Sequence, residues 1–294
     1  DVDHLLVDGT VDRLEMTRML ALSEKALGAR RIEDLFSAHF LQTNFWHMWR
    51  TTFAFQKWNS AAELRRYFLR FIQEFDNLDT LSGVRRTKYN QNDSMIVPLQ
   101  RWLDAQGVRL INDCTVTDLD YRTSGGAFEV IALHFTLKGQ AETKQLEDGD
   151  LVFVQNGSMT DASSLGSMTS APAKLKKAPA GSWTLWEKLA EGRPSFGNPA
   201  AFNSCVAQSD WASFTVTLKD PAFFDQMQRF SGNEAGAGGL VTFKDSNWLM
   251  SIVLAHQPHF ANQPPDVHVF WGYGLFPDRI GTFVVQALAE DTGT

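Results

Sequence analysis

Six aromatic side chains crowd the fifteen residues from Asn44 to Trp58: Phe45, Trp46, Trp49, Phe53, Phe55 and Trp58. Rings of this size bury large areas and accept only certain mutual geometries, so any fold of this chain must lay a thick apolar layer against the segment. Thr51, Thr52 and Gln56 stand between the rings in place of aliphatic filler. Two structures meet the demand: a core unusually rich in rings, or the wall of a site for a long apolar ligand. The periodicity favours core.

The rest of the chain can supply that layer. Its 294 residues are 44% hydrophobic, enough for one large domain or two ordinary ones. Lys and Arg number 27 against 34 Asp and Glu, a formal net charge of -7 with no basic run, which argues against nucleic acid as a partner. Cys114 and Cys205 are far apart and fit neither a disulfide framework nor a zinc site, so a reducing, cytoplasmic setting suits the chain. No segment nears the ~18 consecutive apolar residues of a membrane span, and the acidic start from Asp1 to Asp12 has no signal-peptide shape. The chain reads as soluble, with peripheral contact at a membrane surface left open. The absence of an initiator Met and the Thr-Gly-Thr ending at Thr294 read as cut ends.

Hydrophobic spacing predicts helices from about Asp12 to Phe75, the clearest over Ala61 to Phe75 with Leu64, Phe68, Phe71, Ile72 and Phe75 on one face. Ser60 with Glu63 forms a Ser-x-x-Glu capping box for that helix, whereas Ser23 with Glu24 is a weak cap. After Gly83 the pattern changes. Pro98 to Gln106 reads as a helix ending at Gly107, followed by strands at Val108 to Ile111, Val116 to Tyr121 and Phe128 to Leu137. Leu151 to Val154 is an apolar run of the kind buried on both faces, stopping at Asn156-Gly157-Ser158. A Ser-, Ala-, Pro- and Lys-rich connection covers Met159 to Ser182. Helices are predicted at Trp183 to Glu191 and Pro221 to Phe230, with strands at Ala212 to Leu218, Leu240 to Phe243, Trp248 to Leu254 and Val267 to Trp271. The organisation expected is α/β: a helical, aromatic-rich segment over 1–82, part of a nucleotide-binding α/β domain over 83–165, and a mixed, β-rich substrate region over 166–294.

Several motifs carry candidate chemistry. The order of elements from Trp102 to Val116 and from Asp150 to Gly157 matches the later part of a flavin-binding Rossmann domain, or any α/β sheet. No Gly-x-Gly-x-x-Gly opens a helix near the start, so if this is a dinucleotide fold its first βαβ unit is not in this sequence. The glycines between Gly232 and Gly239 precede a strand, which makes them a hinge or tight loop. His256 and His259 flank Pro258, which breaks the helix that would align them on a metal, so no metal site is assigned. His47 reads as a packed side chain. No serine stands in a nucleophile elbow, leaving hydrolase chemistry unsupported. The cluster from Lys88 to Ser94 is either an Asn/Asp-rich turn or a place where the phenol of Tyr89 delivers a proton while Asn90 and Gln91 position a ligand. Tyr67, beside the aromatic segment, is a second phenol.

Longer strings narrow these alternatives. Asn44 to Gln56, Tyr89-Asn90-Gln91, Asn156 to Asp161, Thr242 to Trp248, His256 to Phe260 and Trp271 to Asp278 together resemble the oleate hydratases, also called myosin-cross-reactive antigens, from about Leu20 to the last residues. The resemblance implies a FAD-dependent enzyme that adds water across the cis-9 double bond of oleate or linoleate to give a 10-hydroxy acid, with no net redox change. It implies a partial flavin-binding Rossmann-like fold, and a homodimer for the full-length protein. A Tyr donates the proton and a Glu orients the water in the family. That Glu lies in a Gly-Gly-Arg-Glu-Met string which this sequence does not contain, so the chain by itself is expected to be inactive. Tyr67 and Tyr89 are both carried as the donor. By the same resemblance, the Val116 backbone meets the adenine and Asn156, Gly157 and Ser158 line the flavin; Trp46 and Phe53 are assigned to the fatty acid tunnel. Asn92 and Asn59 depart from the Tyr and His usual in the family, which unsettles fine substrate positioning. The rival readings are a redox flavoenzyme of the amine oxidase or desaturase type and a non-catalytic fatty-acid-binding protein.

Overall fold

In a computed structural model of the protein, describing residues 10–77, 81, 83–155, 162–174, 182–283 and 288, the aromatic segment forms helix α3 (Asn44–Phe53) and the turn after it. Thr43 caps α3 by accepting the Trp46 amide at 3.1 Å, and Ala54 closes it in the left-handed conformation. Helix α4 (Ala61–Phe71) begins at Ser60, whose hydroxyl accepts the Glu63 amide at 3.4 Å as the capping pattern predicts. Helices α1 (Thr10–Ala21) and α2 (Glu24–Leu27) precede them. Ser23 is a better cap than its sequence context suggests, because its hydroxyl accepts the Ala26 amide at 3.1 Å and so starts α2.

Their apolar faces meet in one core. Phe45, Trp46 and Trp49 of α3, Leu64 and Phe68 of α4, and Met19 and Leu27 are buried together. Trp49 is the hub, with Phe68 at 4.5 Å, Phe53 at 4.7 Å and Phe75 at 5.6 Å between ring centroids. Phe68 and Phe75 meet it nearly edge-on, the arrangement ring quadrupoles prefer. The aromatic segment is thus core at Phe45, Trp46, Trp49 and Phe55, while Phe53 and Trp58 stay half-buried.

The strands described form two antiparallel sheets. One is a meander of β1 (Cys114–Ser124), β2 (Ala127–Leu137) and β3 (Gln140–Gln145), in that order. The other has the order β4-β7-β6-β5, from β4 (Ala212–Leu218), β5 (Val241–Phe243), β6 (Met250–Val253) and β7 (His268–Gly274). Strand β3 is exposed throughout and so has no alternating signal; the two-residue turn at Lys138 and Gly139, both at positive φ, folds it back on β2. Two expected strands are corrected. Residues 108–111 and 151–154 join no ladder, and Leu151 and Phe153 are 82% and 92% exposed. A doubly buried strand needs a neighbour on each edge, and among the described residues none pairs with these segments. Mixed helix and sheet is therefore what the described residues form, with every strand pair antiparallel.

The chain divides into two compact units, Asp1–Trp102 with Trp211–Leu288, and Leu103–Asp210 with Ala289–Thr294. The division is not into consecutive segments: the early helices share a unit with the four-stranded sheet. In that unit α8 (Ala222–Ser231) packs Phe224 and Met227 on Ile252 and Phe270 of the sheet. In the other, α6 (Ser182–Ala190) sets Leu185 and Leu189 against Leu119 of β1, and α7 (Pro199–Asn203) follows. Helix α5 (Val97–Ala105), preceded by a π-helical turn at Asn92–Ile96, is followed by a turn at Gly107, which has positive φ.

A line of hydroxyls, buried except at the half-buried Thr242, ties α3 to the sheet. Thr51 meets Thr242 at 2.8 Å, Thr242 meets Ser251 at 3.0 Å, and Ser251 bonds the phenol of Tyr273 opposite it on β7. Beside it, Gly272 lets β7 lie close to its neighbours, since a Cβ there would come within 2.7 Å of the Phe214 ring and 2.9 Å of the Ser251 carbonyl.

Two substitutions test this packing. Trp49→Ala empties the hub and should cost about 3–5 kcal/mol in urea unfolding. Ser251→Ala leaves Thr242 and Tyr273 short of a partner and should cost about 1–3 kcal/mol in the same measurement.

Candidate functional site

The residues assigned by sequence fall in three places. In the first, the turn from Tyr89 to Ser94 docks on the loop that follows β6. The Asn90 amide and side chain both donate to the His259 carbonyl, at 2.8 and 3.1 Å, and Asp93 accepts from the Ala261 amide and from the Asn90 side chain, each at 2.9 Å. Two glutamines stiffen that loop. Gln257 donates to the Val269 carbonyl at 2.8 Å and accepts from the Gln263 side chain at 2.9 Å, while Gln263 accepts the His259 amide at 2.8 Å. Two strings distant in sequence, Tyr89-Asn90-Gln91 and His256 to Phe260, thus become one polar surface. The Tyr89 ring lies 5.1 Å from the Lys88 amine, and Gln91 is exposed. The Ala261 amide and then the Asn90 side chain hold the Asp93 carboxyl below its ordinary value, while burial, opposed by Asp93, lowers His259.

The second place is apolar. Tyr67 on α4 meets Phe53 and Phe55 edge-on, each at 5.1 Å, and lies beside Phe71. This brings two assigned residues, Tyr67 and Phe53, into contact. Trp46 is not with them: its ring is sealed in the core beside Phe40 and 5.9 Å from the Arg50 guanidinium.

The third place is in the other unit. Val116 sits on β1, an edge strand of its sheet, where the register with β2 slips between Val116 and Asp118. A bulge on an edge strand leaves backbone groups without ladder partners. Asn156, Gly157 and Ser158 lie outside the described residues. The described residues include no His/Cys/Asp/Glu cluster suited to a metal ion and no helix long and apolar enough to cross a membrane.

Residues 5–294 match the MCRA family. The chain belongs to that family. It is 38% identical to the oleate hydratase of Streptococcus pyogenes serotype M49 (strain NZ131), over 95% of this chain and 48% of that protein. It is 36% identical to the linoleate hydratase of Lactiplantibacillus plantarum, over 96% of this chain and 52% of that protein. The chain spans about half the length of these relatives.

Sequence reading passed over two features of this MCRA-family chain. Arg50 on α3 is half-buried, and the desolvation lowers its pKa to about 10, with the charge of Arg279 pushing the same way; its guanidinium donates to Gln56, which in turn donates to the Leu275 carbonyl at 3.4 Å. Tyr273 has its phenol pushed up by burial, against the bond to Ser251. The signal for the first was present: Gln56 and Thr51 are two of the three polar residues named as interrupting the aromatic run, and both are buried.

The Asp93 dock has a defined pH dependence. Its folded pKa lies below the ordinary 3.8, so its contribution is present above that value and is lost as pH falls through the folded pKa. Asp93→Asn should therefore lower the melting temperature near neutral pH, and the difference from the parent should close under acid conditions below the ordinary carboxyl range. Thermal melts across that range check it.

Proposed function

We propose that the chain carries the proton-donor part of a FAD-dependent fatty acid hydratase acting on the cis-9 double bond of oleate-like acids, linoleate included, to give 10-hydroxy acids. The observation that carries this reading is membership of the MCRA family together with relatives named for oleate and linoleate hydration.

The chemistry sets the requirements. An unactivated alkene must take a proton on one carbon while water adds to the other and gives up a proton in turn. That calls for an acid, a carboxylate to orient the water, and a dry apolar channel. Two phenols of this chain have suitable but contrasting surroundings. Tyr67 stands among Phe53, Phe55 and Phe71, against which a hydrocarbon chain can lie. Tyr89 stands on the polar dock, where Asn90 and Gln91 offer amides to a head group or a water. The water-orienting Glu of the family has no counterpart string in this sequence.

The edge of β1 at Val116, which no strand pairs among the described residues, suits the adenine of FAD, and the string Asn156-Gly157-Ser158 is assigned to its flavin side. When bound, FAD supplies structure and electrostatic field with no net redox change. The finer fold reading is a partial Rossmann-like domain in the second unit, supported by two exposed apolar segments, 108–111 and 151–154, on either side of the meander in sequence. Free Cys114 and Cys205 suit the cytoplasm, with membrane contact at the surface only and a homodimer in the full-length protein.

The test is product formation. This chain with FAD and oleate should give no 10-hydroxystearate, and supplying the Gly-Gly-Arg-Glu-Met-bearing unit of a relative should restore it. In the restored system the Phe variant of the donor, Tyr67→Phe or Tyr89→Phe, should lose about 100-fold or more in rate while the other is spared. Unchanged rates in both would remove both tyrosines from the role, and robust turnover by the chain alone would show that its carboxylate is its own.

A further inference from the structure

Two guanidiniums meet near the end of α3 with no ion-paired carboxylate among the described residues. Arg50 lies in the last turn of α3, its guanidinium 5.9 Å from the Trp46 ring and 5.0 Å from the Phe276 ring. Arg279 lies 3.9 Å from the same Phe276 ring. The acceptor that Arg50 has is the neutral side-chain oxygen of Gln56, and its Nε is buried without a partner. Among the described residues no carboxylate forms an ion pair with Arg50 or Arg279. One turn earlier His47 also buries an unpartnered Nδ1, and Lys244 donates at 3.3 Å to the neutral Asn44 side chain.

The dipole of α3 favours a cation in its last turn, but that effect fades within a turn and does not bear on Arg279, which is in no helix. Two guanidiniums on one ring repel each other, and burying one of them without a counter-charge is costly. Their planar forks match carboxylate and phosphate oxygens two at a time. Arg50 is half-buried and Arg279 exposed, so the pair opens to the surface, beside the half-buried ring of Phe276.

We propose that Arg50 and Arg279, gathered on Phe276, form a subsite for a compact oxyanion, carboxylate or phosphate, borne by a ligand whose apolar body lies along the neighbouring aromatic surface. The subsite rests on the hydratase reading only for its two sources, the head group of a fatty acid and the diphosphate of FAD.

Calorimetric titration of the chain with oleate below its micellar range, with uncharged oleyl alcohol, and with inorganic pyrophosphate tests the subsite. Arg279→Gln changes an exposed side chain and leaves the core intact; Arg50→Gln is compared once circular dichroism confirms that it folds. At least one anion should bind the parent, weakened tenfold or more by Arg279→Gln and further by Arg50→Gln, with oleyl alcohol unaffected. Loss confined to oleate identifies the carboxylate, and loss confined to pyrophosphate the phosphate. Parent-like binding of both anions by both variants overturns the subsite and leaves the hydratase reading standing. Parent chain that binds oleate in no form removes the fatty acid reading, while arginine-dependent pyrophosphate binding would still uphold the subsite. Parent chain that binds neither anion overturns the subsite.

Discussion

The 2.8 Å hydrogen bond between the hydroxyls of Thr51 and Thr242 joins positions 191 residues apart, and much of the first unit is arranged around it. Thr51 is fully buried and Thr242 half-buried, so the Thr51 hydroxyl must find its partners within the protein. Thr242 pairs with Ser251 across β5 and β6, and Ser251 with Tyr273 across β6 and β7, so the three hydroxyls fall on one face. That face seats α3 on the sheet. Once Thr51 is fixed, its neighbour Arg50 is held near the turn after β7, which supplies Leu275, Phe276 and Arg279.

The aromatic hub answers a different need. Trp49 has no partner for its indole nitrogen and is retained by ring contacts alone, which are strong in sum and undemanding in direction. Rings fix how α3 and α4 approach; hydroxyls fix where α3 sits along the sheet. A core built only from rings would permit many nearby packings, and the hydroxyl line selects one.

Elements whose signal is local were legible in the sequence. The cap at Ser60, the turn at Gly107 after α5, the Leu64 and Phe68 face of α4 and the alternation of β4 each depend on a few adjacent residues, although α4 stops at Phe71 and Ile72, expected on its apolar face, is 52% exposed. Elements that depend on distant partners were not. Leu151 to Val154 has the composition of a central strand, yet composition cannot supply the neighbouring edges, and the segment lies exposed. Strand β3 has no apolar alternation and exists because its turn directs it back. Of the site residues, Asn90 was read correctly as polar and close to a turn, but its attachment to His259 needed the fold. The cationic pair was hidden for the same reason, since Arg50 and Arg279 stand 229 residues apart.

The alternation Trp271-Gly272-Tyr273-Gly274 works as a lock on strand pairing. Along a strand, successive side chains point to opposite faces, so a slip by one residue would turn the large rings toward the side the glycines now occupy. At Gly272 that side has no room even for a methyl group, because the Phe214 ring and the Ser251 carbonyl already fill it. The misaligned sheet is thereby excluded by steric overlap instead of by a weaker preference. A one-residue misalignment of β7 between β4 and β6 therefore meets a steric clash whether or not the line of hydroxyls has paired.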